Sequence, residues 1–533
     1  DMDLASILPD EMFADQAERR VKLGLVVAEM ISQFELTAEP AKVRGTIEDI
    51  ASTYQDPEEV INWYYSENEQ LAGIESRVLE DAVVQKLLST AAIAEVECSY
   101  QDALAKARPA TPAERDVLRK ARENGNEEIV DRYRKERQQR QRDDRKQISE
   151  MERWWLQRMI TTPRPLEEKL TLFWHGHFAT GYRTIENSYH MYLQNMFLRN
   201  NALGNFKEQL VKGIIRDPAM IQYLNNHQNK KGAPNENLAR ELMELFTLGE
   251  GQGYDEDDIK EGARCLTGYS YADDDFAFKI RSHDTGKKKL FGRSGNYDGN
   301  DFVDLIFTRP SASTFIIEKL YRFFVNDLPN GETNDSKKFV LSISNLFKRK
   351  DWELKPVIET IFLSEHFYDK ANMNAIIKSP VQLIVQAART LNPPQRKKMI
   401  RTLAISSDVM GQRLFAPPSV KGWDGGRSWI NTSTLFMRQN TLLYMLTGQR
   451  PDEPAWESDG AKFDAMSLIR EQDNDSKATI TYLLSTLLNQ DKPNKERVES
   501  LQVFMTTQHN KINNESITEL LTLITAMPEY QLS

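Results

Sequence analysis

Cysteine is nearly absent: 533 residues carry two, Cys98 and Cys265. They allow at most one disulfide, their separation matches no metal-site spacing, and they are read as buried thiols rather than a bridge. Long apolar runs are also missing. The longest are short stretches such as Leu23 to Ala28, far below the roughly 18 to 20 residues of a membrane span, so an integral membrane protein is excluded. There is no basic excess, since the net charge is -10 and the pI near 5.5. That argues against a dedicated nucleic-acid binder, which needs a basic face to neutralise phosphates. Glycine and proline are modest, at 25 and 21 residues, while Leu, Glu, Arg, Lys, Ala and Gln abound. The expected fold is therefore mainly α. Residue 1 is Asp and no signal peptide is visible, so the numbering is read as starting after processing or at a cloning boundary.

Histidine is scarce too, but it is clustered. Five of the seven, His175, His177, His190, His227 and His283, fall within about a fifth of the chain, and histidine is both the side chain that titrates near neutral pH and the commonest metal ligand. The segment Arg164 to Gly181, RPLEEKLTLFWHGHFATG, holds two of them. Pro165 suits the first turn of a helix and Glu167 and Glu168 complement its dipole. On that helix Leu166, Leu170, Phe173 and His177 share the stripe expected to be buried, while His175 points the other way. An H-x-H pair on a regular helix does not chelate one metal, so His177 is either a hydrogen-bonded core histidine or part of a site.

The rest of the chain reads as helices in series. Residues 1 to 110 form an N-terminal helical region, with helices expected over Asp15 to Phe34, Ala41 to Tyr54, Pro57 to Ser66 and Ile74 to Ala107 and no fixed-period repeat. Residues 111 to 150 form a charged linking helix, with Thr111 and Pro112 at its start. Its stretch DRYRKERQQRQRDDRKQIS is read as a solvated helix laced with i,i+4 pairs, in preference to an anion-binding arm. A core region with the His and Glu motifs spans 151 to 447, and a C-terminal region of four helices follows a polar linker over 448 to 533.

Within the core region, Thr184 to Arg199 is expected to be one helix that puts Glu186 and His190 on one face, a spacing shared by metal sites and ordinary helix pairs. Asn235 to Gly249 is the clearest helix, with Gly249 as its stop and Glu236, Arg240, Glu241 and Glu244 on its polar arc. That arc is either a surface face with a Glu236–Arg240 pair or a source of metal ligands and a general base. Asp255 caps the next helix, which Gly268 ends; capping explains its acids better than calcium binding does. A short β-hairpin or irregular insertion is expected near 270 to 300, carrying His283 and Asp284 as loop candidates for acid/base or ligand roles. Further helices are expected at about 311–325, 335–348, 355–363, 380–391 and 395–406. The Gly/Pro/Trp-rich loop near 414 to 431 follows, where Trp423 and Trp429 either stack on a ligand or pin the loop to the core.

Seven stretches, TTPRPLEEKLTLFWHGHFATG, GNF, DPAMIQYLNN, PNENLARELMELFTLGEGQGYDEDDIKEGARCLTGYS, HDTGKKKLFG, LFAPPSVKGWDGGRSWINT and LITAMPEYQLS, together resemble the bacterial family catalogued as domain of unknown function 1800. The resemblance covers roughly residues 150 to 533; the family's usual opening segment is not recognisable in residues 1 to 110. It implies a large helical bacterial protein, exported to the periplasm or cell surface, with an envelope partner of the sulfatase/phosphatase-like type. The family's recurrent motifs fall on Trp174, His175, His177, Asn235, Glu236, Arg240, Glu241, Glu244, Arg264, His283, Asp284 and the Gly422 to Trp429 loop.

Two functions are carried forward. The first is an enzyme using a divalent metal ion for hydrolytic or oxidative chemistry on an envelope or extracellular polymer. In it, His175, His177, His190 and His283 are the metal candidates, and His177, Glu241, Glu244, His283 and Asp284 the catalytic ones. Arg240 and Arg264 act as anion clamps, and Trp174, Asn235, Glu236, Trp423 and Trp429 contact the ligand. The second is a non-catalytic envelope scaffold, or a polysaccharide-binding protein, whose motif residues form a buried polar network.

Overall fold

A computed structural model describes residues 26–34, 36–51, 57–66, 68–90, 112–394, 398–449, 462–469, 475–489, 492–509 and 511–533. Cys98 lies outside the described residues, as do the start of the helix expected from Asp15, the end of that expected from Ile74, and Thr111. The described segments are mainly helical, with two small antiparallel hairpins. The chain divides into two compact units, Asp1–Ser99 and Tyr100–Ser533.

In the first unit, helices Pro40–Ala51, Pro57–Ser66 and Asn68–Thr90 pack around Val43, Ile47, Ile74 and Val78. Exposed ion pairs such as Arg44–Glu48 decorate their surface.

The first described elements of the second unit are Pro112–Glu123 and a long helix, Glu127–Thr161. Asn126 caps the long helix by accepting from Ile129 N, and the helix runs unbroken past residue 150. Its first half is solvated and carries Arg132–Glu136 and Arg134–Asp131 pairs, as its lack of apolar interleaving predicts. Its second half is buried from Asp144 onward through Ile148, Met151, Trp155 and Leu156.

Two apolar clusters fill this unit. One gathers residues from Leu170 to Ile361, and the other joins the end of the long helix to residues Val381 to Tyr530. The helix Pro165–His177 lies between them, giving Leu170, Phe173 and Trp174 to the first and Leu172 to the second. This corrects the expectation that His175 points away from the core: a helix with a core on each side has no solvent face, and both histidines are buried.

Other differences have equally local causes. The helix expected over Thr184 to Arg199 is broken, because Asn187 caps Ser188–Asn200 by accepting from Tyr189 N and His190 N. Glu186 is left outside it at φ 49, so Glu186 and His190 do not share a helical face. The Asn235 to Gly249 helix begins as α over Asn237–Glu241 and widens to π over Leu242–Thr247, with Leu248 N donating to Met243 O at 2.9 Å; Gly249 ends it at φ 97. Asp255 closes a capping box with Asp258, as its position predicts.

Between 269 and 295 the chain makes hairpins Tyr269–Ala272 with Asp275–Phe278 and Lys288–Leu290 with Arg293–Gly295. A helix over Gly299–Ile306 then forms where none was expected, started by an Asp298/Asp301 capping box that is legible as D-x-x-D. Thr432–Thr447 is a further helix missed in the sequence. Past residue 448 the described residues hold three α-helices, at 476–487, 495–508 and 514–525, with short 3-10 turns before and after them.

Candidate active site

A cavity of about 360 Å³ opens where the end of the Pro165–His177 helix, the helix Ser311–Phe324 and the Gly/Trp-rich loop meet. His177 and Phe173 come from the first, Lys319, Arg322 and Phe323 from the second, and Trp423, Asp424 and Trp429 from the loop; Asp327, Gln382 and Gln412 add polar edges.

Glycine permits this meeting. A Cβ on Gly422 would sit 2.1 Å from the Gly176 carbonyl oxygen, and its φ is +81. A Cβ on Gly176 would only make ordinary contact with the Trp423 ring, at 3.5 Å, so the constraint lies at 422. The loop backbone thus rests on the Gly between the two histidines, a closeness that any side chain at 422 would prevent.

His177 is fixed on both ring nitrogens. Phe246 O can only accept, which places the imidazole proton on Nε2 and leaves Nδ1, 3.3 Å from Lys319 Nζ, as the acceptor. Nε2 donates to Phe246 O at 2.9 Å. Burial and the nearby Lys319 charge keep this imidazole neutral, well below the usual histidine range. Lys319 also donates to Leu245 O at 3.0 Å and stands 4.7 Å from the Phe315 ring centre. Burial pushes its ammonium down to about 8.

His175 occupies a different setting. Its ring packs on Trp155, Phe415 and Trp423, its Nε2 is buried without a partner, and burial lowers it to about 4. Trp174 is wholly enclosed, with Nε1 donating to Ala202 O at 3.0 Å. It acts as core rather than as a ligand contact.

The remaining candidates have other partners. His190 Nε2 meets Asp273 O at 3.0 Å and Asp274 Oδ1 at 3.4 Å, on the first hairpin turn. His283 Nδ1 donates to Thr267 O at 2.8 Å. Asp284 pairs with Arg264 Nε at 2.8 Å, which holds its carboxyl at about 2, and Arg264 also grips Glu261.

Arg240 is a ladder, reaching Glu236 at 3.1 Å, Glu244 at 3.4 Å and Glu256 of the next helix at 2.8 Å. It ties the two helices together. Glu241 is half-buried, and burial followed by the Glu244 charge raises its carboxyl; the Arg240 charge, and then Lys421 of the loop, oppose this. Asn235 borders a separate polar cavity of about 560 Å³ with His227 and Ser282.

The structure thus brings His177, Trp423 and Trp429 into one cavity and leaves His190, the His283–Asp284–Arg264 group and the Arg240 ladder elsewhere. Among the described residues no three His, Cys, Asp or Glu side chains are grouped to hold a metal ion. The expected histidines do not share a centre because each is satisfied, or packed, by a different element. Lys319, Arg322 and Asp327 were missed. Lys319 carried a signal: in the segment Phe315 to Phe324 it falls on the apolar side of the helix, one turn from Ile316 and Phe323. Asp327 carried none.

A profile of the family described as Protein of unknown function (DUF1800) matches residues 19–532. Among curated proteins, the chain is similar to the trigger factor of Cellvibrio japonicus (strain Ueda107), with 48% identity over 102 residues, 19% of this chain and 23% of that protein. It is likewise similar to the trigger factor of Pseudomonas putida (strain GB-1), with 50% identity over 107 residues, 20% and 24%. These likenesses fall in the N-terminal part, and the chain spans about a quarter of the length of these relatives. No solved structure matches. With the profile running nearly end to end, from well before the motif block at 161 to the penultimate residue, the chain belongs to the DUF1800 family.

Proposed function

We propose that this protein is an exported enzyme that acts on a saccharide unit of an envelope or extracellular polymer, bound in the His177–Lys319–Trp423 cavity. One observation carries the reading. A half-buried lysine and a neutral, tautomer-locked histidine meet at a cavity that also holds two tryptophans and the polar groups Asp327, Gln382 and Gln412. Aromatic faces stack on the apolar faces of sugar rings, while planar polar side chains satisfy hydroxyls. The volume fits one or two sugar units rather than a long chain.

The test is tryptophan fluorescence titrated with soluble fragments of envelope polysaccharide, compared between wild type and Trp423→Phe. Saturable quenching lost in the variant supports the reading; identical traces in both sink it. Whether the protein carries a divalent metal is measured by elemental analysis of the purified protein. Export is tested by fractionating the native cells, and a sulfatase/phosphatase-like partner by crosslinking in that fraction.

A second reading, a non-catalytic envelope scaffold, is favoured by the buried polar networks. Asp144 accepts from Tyr182 Oη at 2.6 Å and from Ser188 N at 2.8 Å, and Gln194 joins Thr180 to Asp217. Such networks fix helix packing. His177→Ala separates the two readings: under the scaffold reading it chiefly lowers the melting temperature, and under the enzyme reading it removes turnover from a protein that stays folded.

A further inference from the structure

Burial lowers three lysines to about 8: Lys169, Lys319 and Lys378. They sit in different places. Lys378 is 1% exposed and spends its ammonium on Tyr530 O. Lys169 lies over the Phe323 and Phe324 rings. Lys319 alone of the three lines the 360 Å³ cavity.

Its surroundings suit an amine rather than a permanent ion. The acceptors around Nζ are neutral, His177 Nδ1 and Leu245 O, and among the described residues no carboxylate is paired with it. A lysine kept for its charge is normally neutralised by an acid when buried. A carboxyl does border the same cavity: Asp327 is raised by burial, and its Oδ2 lies 2.2 Å from where a Gly426 Cβ would stand. Glycine at 426 is what leaves that oxygen room.

From this juxtaposition of an amine without a carboxylate partner, a neutral imidazole and a half-buried acid around one cavity, we infer that Lys319 is a nucleophile that condenses with a carbonyl compound to form an imine. The natural class is a small hydroxyaldehyde or hydroxyketone, including the open-chain form of a reducing sugar end. The last point rests on the saccharide reading above; the reactivity of the amine does not.

The step balances without oxidant or reductant. The ammonium first sheds a proton to solvent in the cavity. The nitrogen lone pair attacks the carbonyl carbon, a C–N bond forms, the π pair moves to oxygen, and one N–H proton passes from nitrogen to that oxygen, which leaves a neutral carbinolamine. The carbinolamine then expels that oxygen as water, with Asp327 supplying the proton, the nitrogen lone pair completes C=N as a protonated iminium, and its N–H proton returns to the Asp327 carboxylate to leave the imine. Amine and carbonyl become imine and water. His177, locked as the Nε2–H form, holds the amine by Nδ1 and keeps it aimed.

The experiment uses the full chain, glycolaldehyde as the probe and cyanoborohydride to trap the imine as a stable secondary amine, followed by peptide mapping near neutral pH. Lys319 is expected to label about tenfold or more faster than exposed Lys355, because burial leaves more of the Lys319 amine unprotonated near neutral pH than an ordinary lysine has. Asp327→Asn should slow labelling at Lys319 and leave Lys355 unchanged, with circular dichroism verifying the fold. Labelling of Lys319 no faster than of Lys355 in folded wild type overturns the inference. If Lys319 labels rapidly but no saccharide quenches the tryptophans, the saccharide reading fails and the nucleophile stands.

Discussion

Glu168 offers the sharpest test of how the site is held. It is 2% exposed and accepts from Arg199 Nε at 2.8 Å, Arg199 Nη2 at 3.0 Å and Trp155 Nε1 at 2.9 Å, with Arg158 as a further donor. Those donors belong to the long helix and to Ser188–Asn200, so one carboxylate pins the start of the His177 helix to two others. Glu168→Gln keeps the shape and removes the charge, which leaves the equally buried Arg199 guanidinium without an anionic partner, beside Asn195, Met196 Sδ and the Trp154 and Trp155 rings. Breaking a buried pair this way costs about 3–5 kcal/mol. Replacing both partners, as Glu168→Leu with Arg199→Met, should recover most of that loss, because no buried charge remains.

The sign with pH follows from the carboxyl. Burial pushes it up, but hydrogen bonds from Arg199, Arg158 and Trp155 outweigh burial and hold it below its ordinary value. Its contribution is thus present above the ordinary carboxylate range and is lost as pH falls through the lowered folded value. The assay is urea unfolding followed by near-UV circular dichroism, at neutral pH and in acid. A Glu168→Gln cost below about 1 kcal/mol, or a double variant no better than the sum of the singles, would refute the reasoning.

Other expectations are simpler. Gly422→Ala should cost more than Gly425→Ala: both have positive φ, +81 and +77, worth about 1–2 kcal/mol each, but only at 422 does the Cβ meet backbone, 2.1 Å from Gly176 O. Comparable melting temperatures for the two would show that the loop does not rest on the His177 helix. Lys378 is fully buried with its ammonium at about 8 against an ordinary 10.5, so the fold binds fewer protons than the unfolded chain between those values and stability rises with pH across that window, by roughly 3 kcal/mol at most from this group. Lys378→Met should flatten the rise, and an unchanged profile would remove this lysine as its source. Arg240→Ala should cost under about 1 kcal/mol, and less in salt, because its ladder to Glu256 is largely exposed; loss of saccharide binding in that variant would restore Arg240 as an anion clamp.

What was legible in the residues is what local physics decides. Pro165 with Glu167 and Glu168, Asp255 with Asp258, and Gly249 mark helix ends because caps, dipole and φ act within a turn. The solvated half of the long helix and the first hairpin, Tyr269–Ala272 with Asp275–Phe278, follow from patterning in the same way, whereas the second hairpin at 288–295 was not anticipated. Where two local signals competed, the reading failed: Asn187 took the cap that dissolves the Glu186–His190 face, and D-x-x-D at Asp298 started an unrecognised helix.

The site belongs to tertiary structure. A helical wheel assumes one buried face, but Pro165–His177 lies between two cores, so only packing could tell that His175 is enclosed by Trp155, Phe415 and Trp423. His177 meets Lys319 across 142 residues of chain, and Gly176 meets Gly422. No periodicity reports a contact between elements so far apart. The sequence by itself determined a helical protein with capped elements and a histidine-rich motif; which histidine faces a cavity, and that a lysine stands beside it, was decided by how the helices and the glycine loop pack.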